Sequence, residues 1–140
     1  EEALEISNIT EEEYSSIVEA ALKIDEIIER EAAKNGLIHV DGKKEFALGP
    51  GRKVVLVDTF GTLDEDRWWD AKAYENGETI ELSKEFVRSH YISTGHQANL
   101  KTARDSGADE PPIPALPQEV IDQTANLYSS MYERLTSGKF

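Results

Sequence analysis

Asp41-Gly42-Lys43-Lys44-Glu45-Phe46-Ala47-Leu48, then Gly49-Pro50-Gly51, then Arg52-Lys53-Val54-Val55-Leu56-Val57-Asp58: the fold and the chemistry of this chain turn on residues 41–58. Glycine and proline at 49–51 make a turn between two β-prone runs, which predicts an antiparallel hairpin. Alternate side chains of a strand share a face, so Asp41, Lys43 and Glu45 should project together, with Phe46 and Leu48 turned into the core. The second run is apolar from Val54 to Val57, reads as buried, and delivers Asp58 at its far end. If Leu48 pairs with Lys53, Asp58 falls opposite Lys43 and diagonal to Glu45, within side-chain reach. A slip of one residue would move Asp58 to the other face.

Upstream, Thr10 and Glu13 have capping-box spacing, and Glu11 and Glu12 suit the positive end of a helix dipole. Tyr14, Ile17, Val18, Ala21, Leu22, Ile24, Ile27 and Ile28 then recur at helical spacing up to Asn35-Gly36, so residues 11–35 read as one amphipathic helix. Leu37 to Val40 reads as extended chain leading into the hairpin. Downstream, residues 59–81 read as a polar loop containing aromatics, and Ser83 as the cap of a shorter helix carrying Phe86, Val87 and Tyr91. Residues 93–117 read as connector, closing on Pro111-Pro112-Ile113-Pro114. A last helix starts near Leu116-Pro117, with Val120, Leu127, Tyr128, Met131 and Leu135 as its apolar stripe and Gly138 past its end. The expected class is α+β: a small antiparallel sheet on a long amphipathic helix, with further C-terminal helices.

Composition narrows the function. The 140 residues fit one domain, and 39% apolar residues suffice for one modest core. A net charge of -13, from 28 acidic and 15 basic residues, repels phosphate backbones and anionic membranes, so neither nucleic acid nor a membrane is an expected partner. Without cysteine there is no disulfide framework and no thiolate metal site. No apolar run is long enough to span a bilayer, and the acidic start is unlike a signal peptide, so the expected location is cytoplasmic. The chain opens on Glu1 rather than methionine, which points to sequence upstream.

Two carboxylates flanking an ammonium group are suited to a magnesium ion and a nucleotide phosphate, because magnesium takes one or two carboxylates plus phosphate oxygens and water. An amphipathic edge strand made only for solubility would carry the same charges on Asp41, Lys43 and Glu45, and the delivery of Asp58 is what favours a site. The following loop, Thr59-Phe60-Gly61-Thr62-Leu63-Asp64-Glu65-Asp66-Arg67-Trp68-Trp69, sits where binding groups collect. Arg67 can grip a phosphate or carboxylate bidentately, or it can simply pack on the tryptophans. His39, His90 and His96 lack metal-ligand spacing and read as structural or solvated.

Taken in order, these residues resemble the SAICAR synthetases (phosphoribosylaminoimidazole-succinocarboxamide synthases). That family carries an Asp-x-Lys-x-Glu-Phe strand, matched by Asp41, Lys43, Glu45 and Phe46. A second strand ending in aspartate is matched by Asp58, and a loop that follows it by Thr62, Asp64, Arg67 and Trp69. Ser83 to Arg88 is similar to the family's Phe-Val-Arg helix, and Pro111 to Thr136 to its proline-rich linker and last helix. Gly42, Ala47, Thr59, Leu63 and Glu65-Asp66 depart from the commonest pattern, and the combination looks like the archaeal form.

The resemblance implies an ATP-dependent ligase of purine biosynthesis that joins carboxyaminoimidazole ribonucleotide (CAIR) to L-aspartate, with ATP and Mg2+ as cofactors. It implies that Glu45 and Asp58 hold the metal and, with Lys43, the nucleotide. Lys43 would neutralise phosphate charge during transfer. Asp41, Asp64 and Arg67 would line the CAIR and aspartate side, with Asp41 and Asp64 counted beside Lys43 as catalytic. It further implies that residues 1–140 are the C-terminal, metal-, ATP- and substrate-binding portion, without the N-terminal half and its glycine-rich ribbon. The absent half, supplied in cis or in trans, and the acid-rich helices point to association into an oligomer. A non-catalytic nucleotide- or partner-binding module on the same scaffold is the alternative. A kinase-like phosphotransferase is disfavoured because the 61–69 loop lacks a His-Arg-Asp signature.

Overall fold

The computed structural model describes residues 2–139, and Glu1 lies outside them. A short helix, α1 (Glu2–Ser7), precedes the long helix α2 (Glu11–Lys34). The predicted capping box forms: Glu13 N donates to Thr10 Oγ1 at 3.2 Å, and Thr10 N to Glu13 Oε2 at 2.8 Å. Gly36, at φ +67°, turns the chain out of the helix in the left-handed region that glycine enters without steric cost.

The hairpin also forms, but its context differs from expectation. Strand β2 (Glu45–Leu48) pairs antiparallel with β3 (Val54–Val57) across a 3-10 turn at Pro50–Arg52. From that turn Arg52 reaches back to Glu13 at 2.7 Å and to the Asn8 carbonyl at 3.0 Å, tying the hairpin to the start of α2. The Arg52 guanidinium holds the Glu13 carboxyl down at about 2. Strand β1 (Leu37–Gly42) stands outside this sheet and pairs with β4 (Asp66–Asp70), so there are two two-stranded sheets.

Three expectations are corrected here. First, part of the 59–81 loop is strand β4. Its alternation is disguised because one inward residue, Asp66, is a carboxylate, while Trp68 is the other buried position. Second, β3 is only half buried: Leu56 faces inward, whereas Val55 and Val57 are 43% and 37% exposed. Third, the 93–117 connector contains a helix. Beyond α3 (Ala71–Glu75) and α4 (Glu85–Ser93), residues His96–Ser106 form α5 between Gly95 and Gly107, and only 107–117 is extended. Helix α5 packs one thin face on α4, so a mostly polar sequence suffices for it. Ser83 is buried and accepts from Glu85 N at 3.3 Å, but it is not the expected cap: Lys84 holds the N-cap position of α4, and Ser83 stands one residue before it.

The last helix, α6 (Gln118–Thr136), follows Pro117 as expected and closes the core. Met131 is wholly buried with Ala32 of α2, Leu37 of β1, Trp68 of β4 and Leu63, ringed by Ile28, Leu82, Leu127, Tyr128 and Leu135. Arg134 fastens the same junction, donating to the Asn35 and Gly36 carbonyls at 3.1 and 2.8 Å and to Asp70 at 3.3 Å. The hairpin stands beside this core with one face toward α2 and the other outward. Among the described residues no helix is long and apolar enough to cross a membrane.

Candidate active site

The hairpin register is one residue off the pairing that would set Asp58 opposite Lys43. Glu45 pairs with Val57 and Leu48 with Val54, so continuing the ladder would turn Asp58 toward the inner face. Asp58 leaves the ladder instead. Its φ of +65° is rare for a residue with a Cβ, and the reversal brings its carboxylate back to 3.8 Å from Lys43 Nζ. Backbone strain of this kind at a strand end is a recurring mark of functional sites. Asp58 Oδ1 also accepts from Thr59 N at 2.8 Å, which fixes the carboxylate at the bend.

Around Lys43 Nζ three carboxylates converge: Glu45 at 2.6 Å, Glu65 at 3.6 Å and Asp58 at 3.8 Å. The hydrogen bond that Lys43 donates to Glu45, then the fields of Glu45, Glu65 and Asp58, raise the Lys43 pKa, so the ammonium is fully charged. One ammonium among three carboxylates leaves a surplus of two negative charges at an open surface, the charge set that a divalent cation neutralises. Glu45 and Asp58 supply oxygen donors, which suits magnesium. Among the described residues no group of three or more histidine or acidic side chains closes into a ready-made metal cage. Glu65 is the member that sequence reasoning missed; its only signal was a charge where the resembling family has small residues.

Asp41 does not join this set. The extended run breaks after Gly42, and a bulge between His39 and Asp41 places Asp41 across from Arg67 of β4. Asp41 Oδ1 accepts from Arg67 Nε at 2.8 Å, and Oδ2 from Nη2. The bidentate bond lowers the Asp41 pKa and raises that of Arg67 further above its ordinary value. Arg67 therefore stands as half of an ion pair, with Nη1 left to reach an anion.

Asp64 belongs to a third group that spacing could not reveal. Its carboxylate accepts from Tyr128 Oη of α6 at 2.7 Å, and its carbonyl from Lys84 Nζ. Burial, and then Asp64 itself, push the Tyr128 phenol up to about 12. The outer face of the hairpin, which carries Glu45, continues through Val57, Ala47 and Val55 as an exposed apolar ledge. Beneath these groups lies a buried polar cluster of His39, Lys44 and Asp66, with their side chains 1%, 8% and 0% exposed. Burial works to raise the Asp66 pKa, but bonds from His39, Lys44 and the Gly61 amide outweigh it and hold the carboxyl below its ordinary range.

A family model described as SAICAR synthetase matches residues 1–104. The chain belongs to the SAICAR synthetase family. Over all 140 residues it is 54% identical to a phosphoribosylaminoimidazole-succinocarboxamide synthase of Thermoplasma acidophilum, covering 48% of that protein. In structure it is similar to a SAICAR synthetase in complex with ADP, with a TM-score of 0.63 and 27% identity over 97% of this chain and 43% of the other. The SAICAR synthase of Saccharomyces cerevisiae complexed with SAICAR shares the fold at a TM-score of 0.70 and 24% identity, over 90% of this chain and 39% of the other. The chain thus spans about half the length of the SAICAR synthetases it matches.

Proposed function

We propose that this chain is the C-terminal, nucleotide- and substrate-binding part of a ligase that converts CAIR, L-aspartate and ATP into SAICAR, ADP and phosphate. It acts together with an N-terminal half that completes the cleft, and both work in the cytoplasm. The observation that carries the reading is the convergence of Glu45, Glu65 and Asp58 on Lys43, at the ends of two paired strands in a SAICAR synthetase fold.

In this reading Glu45 and Asp58 hold the magnesium that accompanies ATP, and the ion when bound screens the phosphate charge. The ledge of Val57, Ala47 and Val55 meets the apolar base or sugar edge of the nucleotide. Lys43 would donate to the phosphoryl oxygens and neutralise their charge during transfer. The γ-phosphoryl group passes from ATP to a CAIR carboxylate oxygen, and ADP leaves. The aspartate amine then attacks the carbonyl carbon of that acyl phosphate, phosphate departs, and the amine loses a proton as the amide forms. Asp41, Arg67 and Asp64 line the side where CAIR and aspartate meet, with Arg67 Nη1 offered to a substrate anion and Asp64 to a substrate donor.

The test is ADP release from MgATP in the presence of CAIR and L-aspartate, by this chain alone and with an N-terminal half added. Turnover confined to the mixture supports a ligase completed by its other half. Silence in a mixture shown to be folded and associated refutes the ligase reading and leaves a non-catalytic binding module. In the active mixture Asp58→Asn should abolish ATP cleavage with the fold intact, and normal turnover in that variant would remove Asp58 from the metal site.

A further inference from the structure

Two members of the buried cluster, Asp66 and Lys44, and the glycine packed against them, Gly42, are chain neighbours of candidate site residues. Asp66 precedes Arg67, Lys44 lies between Lys43 and Glu45, and Gly42 lies between Asp41 and Lys43. The Asp66 carboxylate joins these segments. Oδ1 is 2.8 Å from His39 Nε2 and accepts from Lys44 Nζ at 2.7 Å, and Oδ2 accepts from the Gly61 amide. His39 Nδ1 lies 2.9 Å from Asp25 Oδ1 of α2 but makes no hydrogen bond to it, so the cluster abuts the long helix there. The ring of His39 lies against Trp68, its centroid 4.9 Å away.

Space for this arrangement comes from Gly42. A Cβ there would stand 1.5 Å from Asp66 Oδ1, 2.5 Å from its Cγ and 2.6 Å from Lys44 Nζ. The first two contacts are with a side chain clamped on every side, so nothing can yield. Glycine at 42 and aspartate at 66 are therefore one unit. A partly satisfied buried carboxylate is costly, and this one is fully engaged, which makes its geometry rigid.

We propose that Asp66 is a positioning residue of the ligase: its buried carboxylate sets the spacing between the Lys43, Glu45 and Asp58 group and the Asp41–Arg67 pair. This rests on the ligase reading above. Asp66 touches no reacting atom; it holds Lys44 and the 61–66 loop, so that Lys43 and Arg67 meet the two ends of the reaction at a fixed separation. Small misplacements of such groups cost ~100-fold in rate.

The experiment uses the complete ligase and measures kcat and KM well below the melting temperature, per folded enzyme. Gly42→Ala alone should lower the melting temperature, and adding Asp66→Ser should restore part of the loss, because it removes the two nearest atoms the new Cβ would strike but leaves the Lys44 ammonium in place without its carboxylate. The double variant should still show kcat lowered about 10- to 100-fold, with KM for MgATP changed by less than about threefold. Asp66→Asn, which keeps the size and one acceptor, should fall in the same direction and serves if the double variant does not fold. A folded variant of either kind with kcat within about twofold of the parent overturns the proposal. So does a Gly42→Ala protein as stable as the parent. Asp58→Asn is run beside them. If it too is fully active, the ligase reading fails; if it is dead while the Asp66 variants are normal, only the positioning role fails.

Discussion

Replacing Tyr128 by phenylalanine tests whether α6 holds Asp64 in place. The hydroxyl gives Asp64 its one side-chain link to the last helix, at 2.7 Å, across 64 positions of sequence. A hydrogen bond to a charged acceptor is worth about 1.5–3 kcal/mol, but Asp64 is exposed and screened, so a value below that range, about 1 kcal/mol, is expected at neutral pH. The pH dependence adds a sharper signature. The phenol ordinarily loses its proton near 10.0, and the folded protein pushes it up to about 12. A raised folded value means the stability tied to the protonated phenol is whole below pH 10 and is lost as pH climbs through 12, where the unfolded chain has already released its proton. The rise from 10.0 to about 12 would correspond to about 2.7 kcal/mol, and because Tyr128 and Asp64 lie partly in solvent, screening reduces the loss expected over that window to about 1 kcal/mol. Urea unfolding of the parent and Tyr128→Phe at pH 7, 9, 10, 11 and 12 isolates this, since lysine titration is common to both. The gap between them should narrow or reverse above pH 10. A difference below about 0.3 kcal/mol that stays flat from pH 7 to 12 would refute the link, that being the scatter of independent sites.

Met131→Ala should cost about 2–5 kcal/mol, because a wholly buried side chain is removed where α2, β1, β4 and α6 meet; thermal unfolding by circular dichroism checks it. Below pH 4.5 the Glu13–Arg52 tie weakens. The lowered Glu13 value means its contribution is present above the unfolded 4.5 and lost as pH falls toward 2, so Arg52→Ala should flatten the stability curve in that interval of an acid titration. Arg67→Lys should raise KM for the anionic substrate in the complete enzyme, since lysine cannot hold Asp41 bidentately and still donate outward, and steady-state kinetics with CAIR varied reads this.

The long helix was legible because each of its signals is local: Thr10 and Glu13 cap one end, Asn35-Gly36 the other, and the isoleucines recur between them. The hairpin was legible for the same reason, since its turn and runs are contiguous. The second sheet was not. Pairing β1 with β4 joins Leu37 to Asp70, and the only local cue, alternation in Asp66-Arg67-Trp68-Trp69-Asp70, puts a charged residue where burial demands an apolar one. A buried aspartate is unreadable until its donors are known, and His39, Lys44 and Gly61 come from three separate places in the chain. Helix α5 escaped because it needs so little apolar surface to lie on α4.

The site shows a different kind of legibility. Residue identity was informative where the inferred geometry was wrong: Asp58 reaches Lys43 although the register that was to bring it there does not occur. In a regular ladder a one-residue slip sends a side chain to the opposite face, and only a residue past the last ladder bond can escape that rule. Asp58 is such a residue, and its left-handed backbone undoes the slip. Aspartate enters this region more readily than most residues with a Cβ, and Asn8, Arg52 and Ser137 also occupy it in this chain, yet glycine would enter it at less cost. Glycine would relax the backbone and lose the carboxylate. What argues for the carboxylate is the place to which this backbone carries it, 3.8 Å from Lys43 Nζ, and that observation is independent of the family likeness. An Asp58→Gly chain should accordingly be as stable as the parent or more so, while Lys43 loses one of its three acidic neighbours.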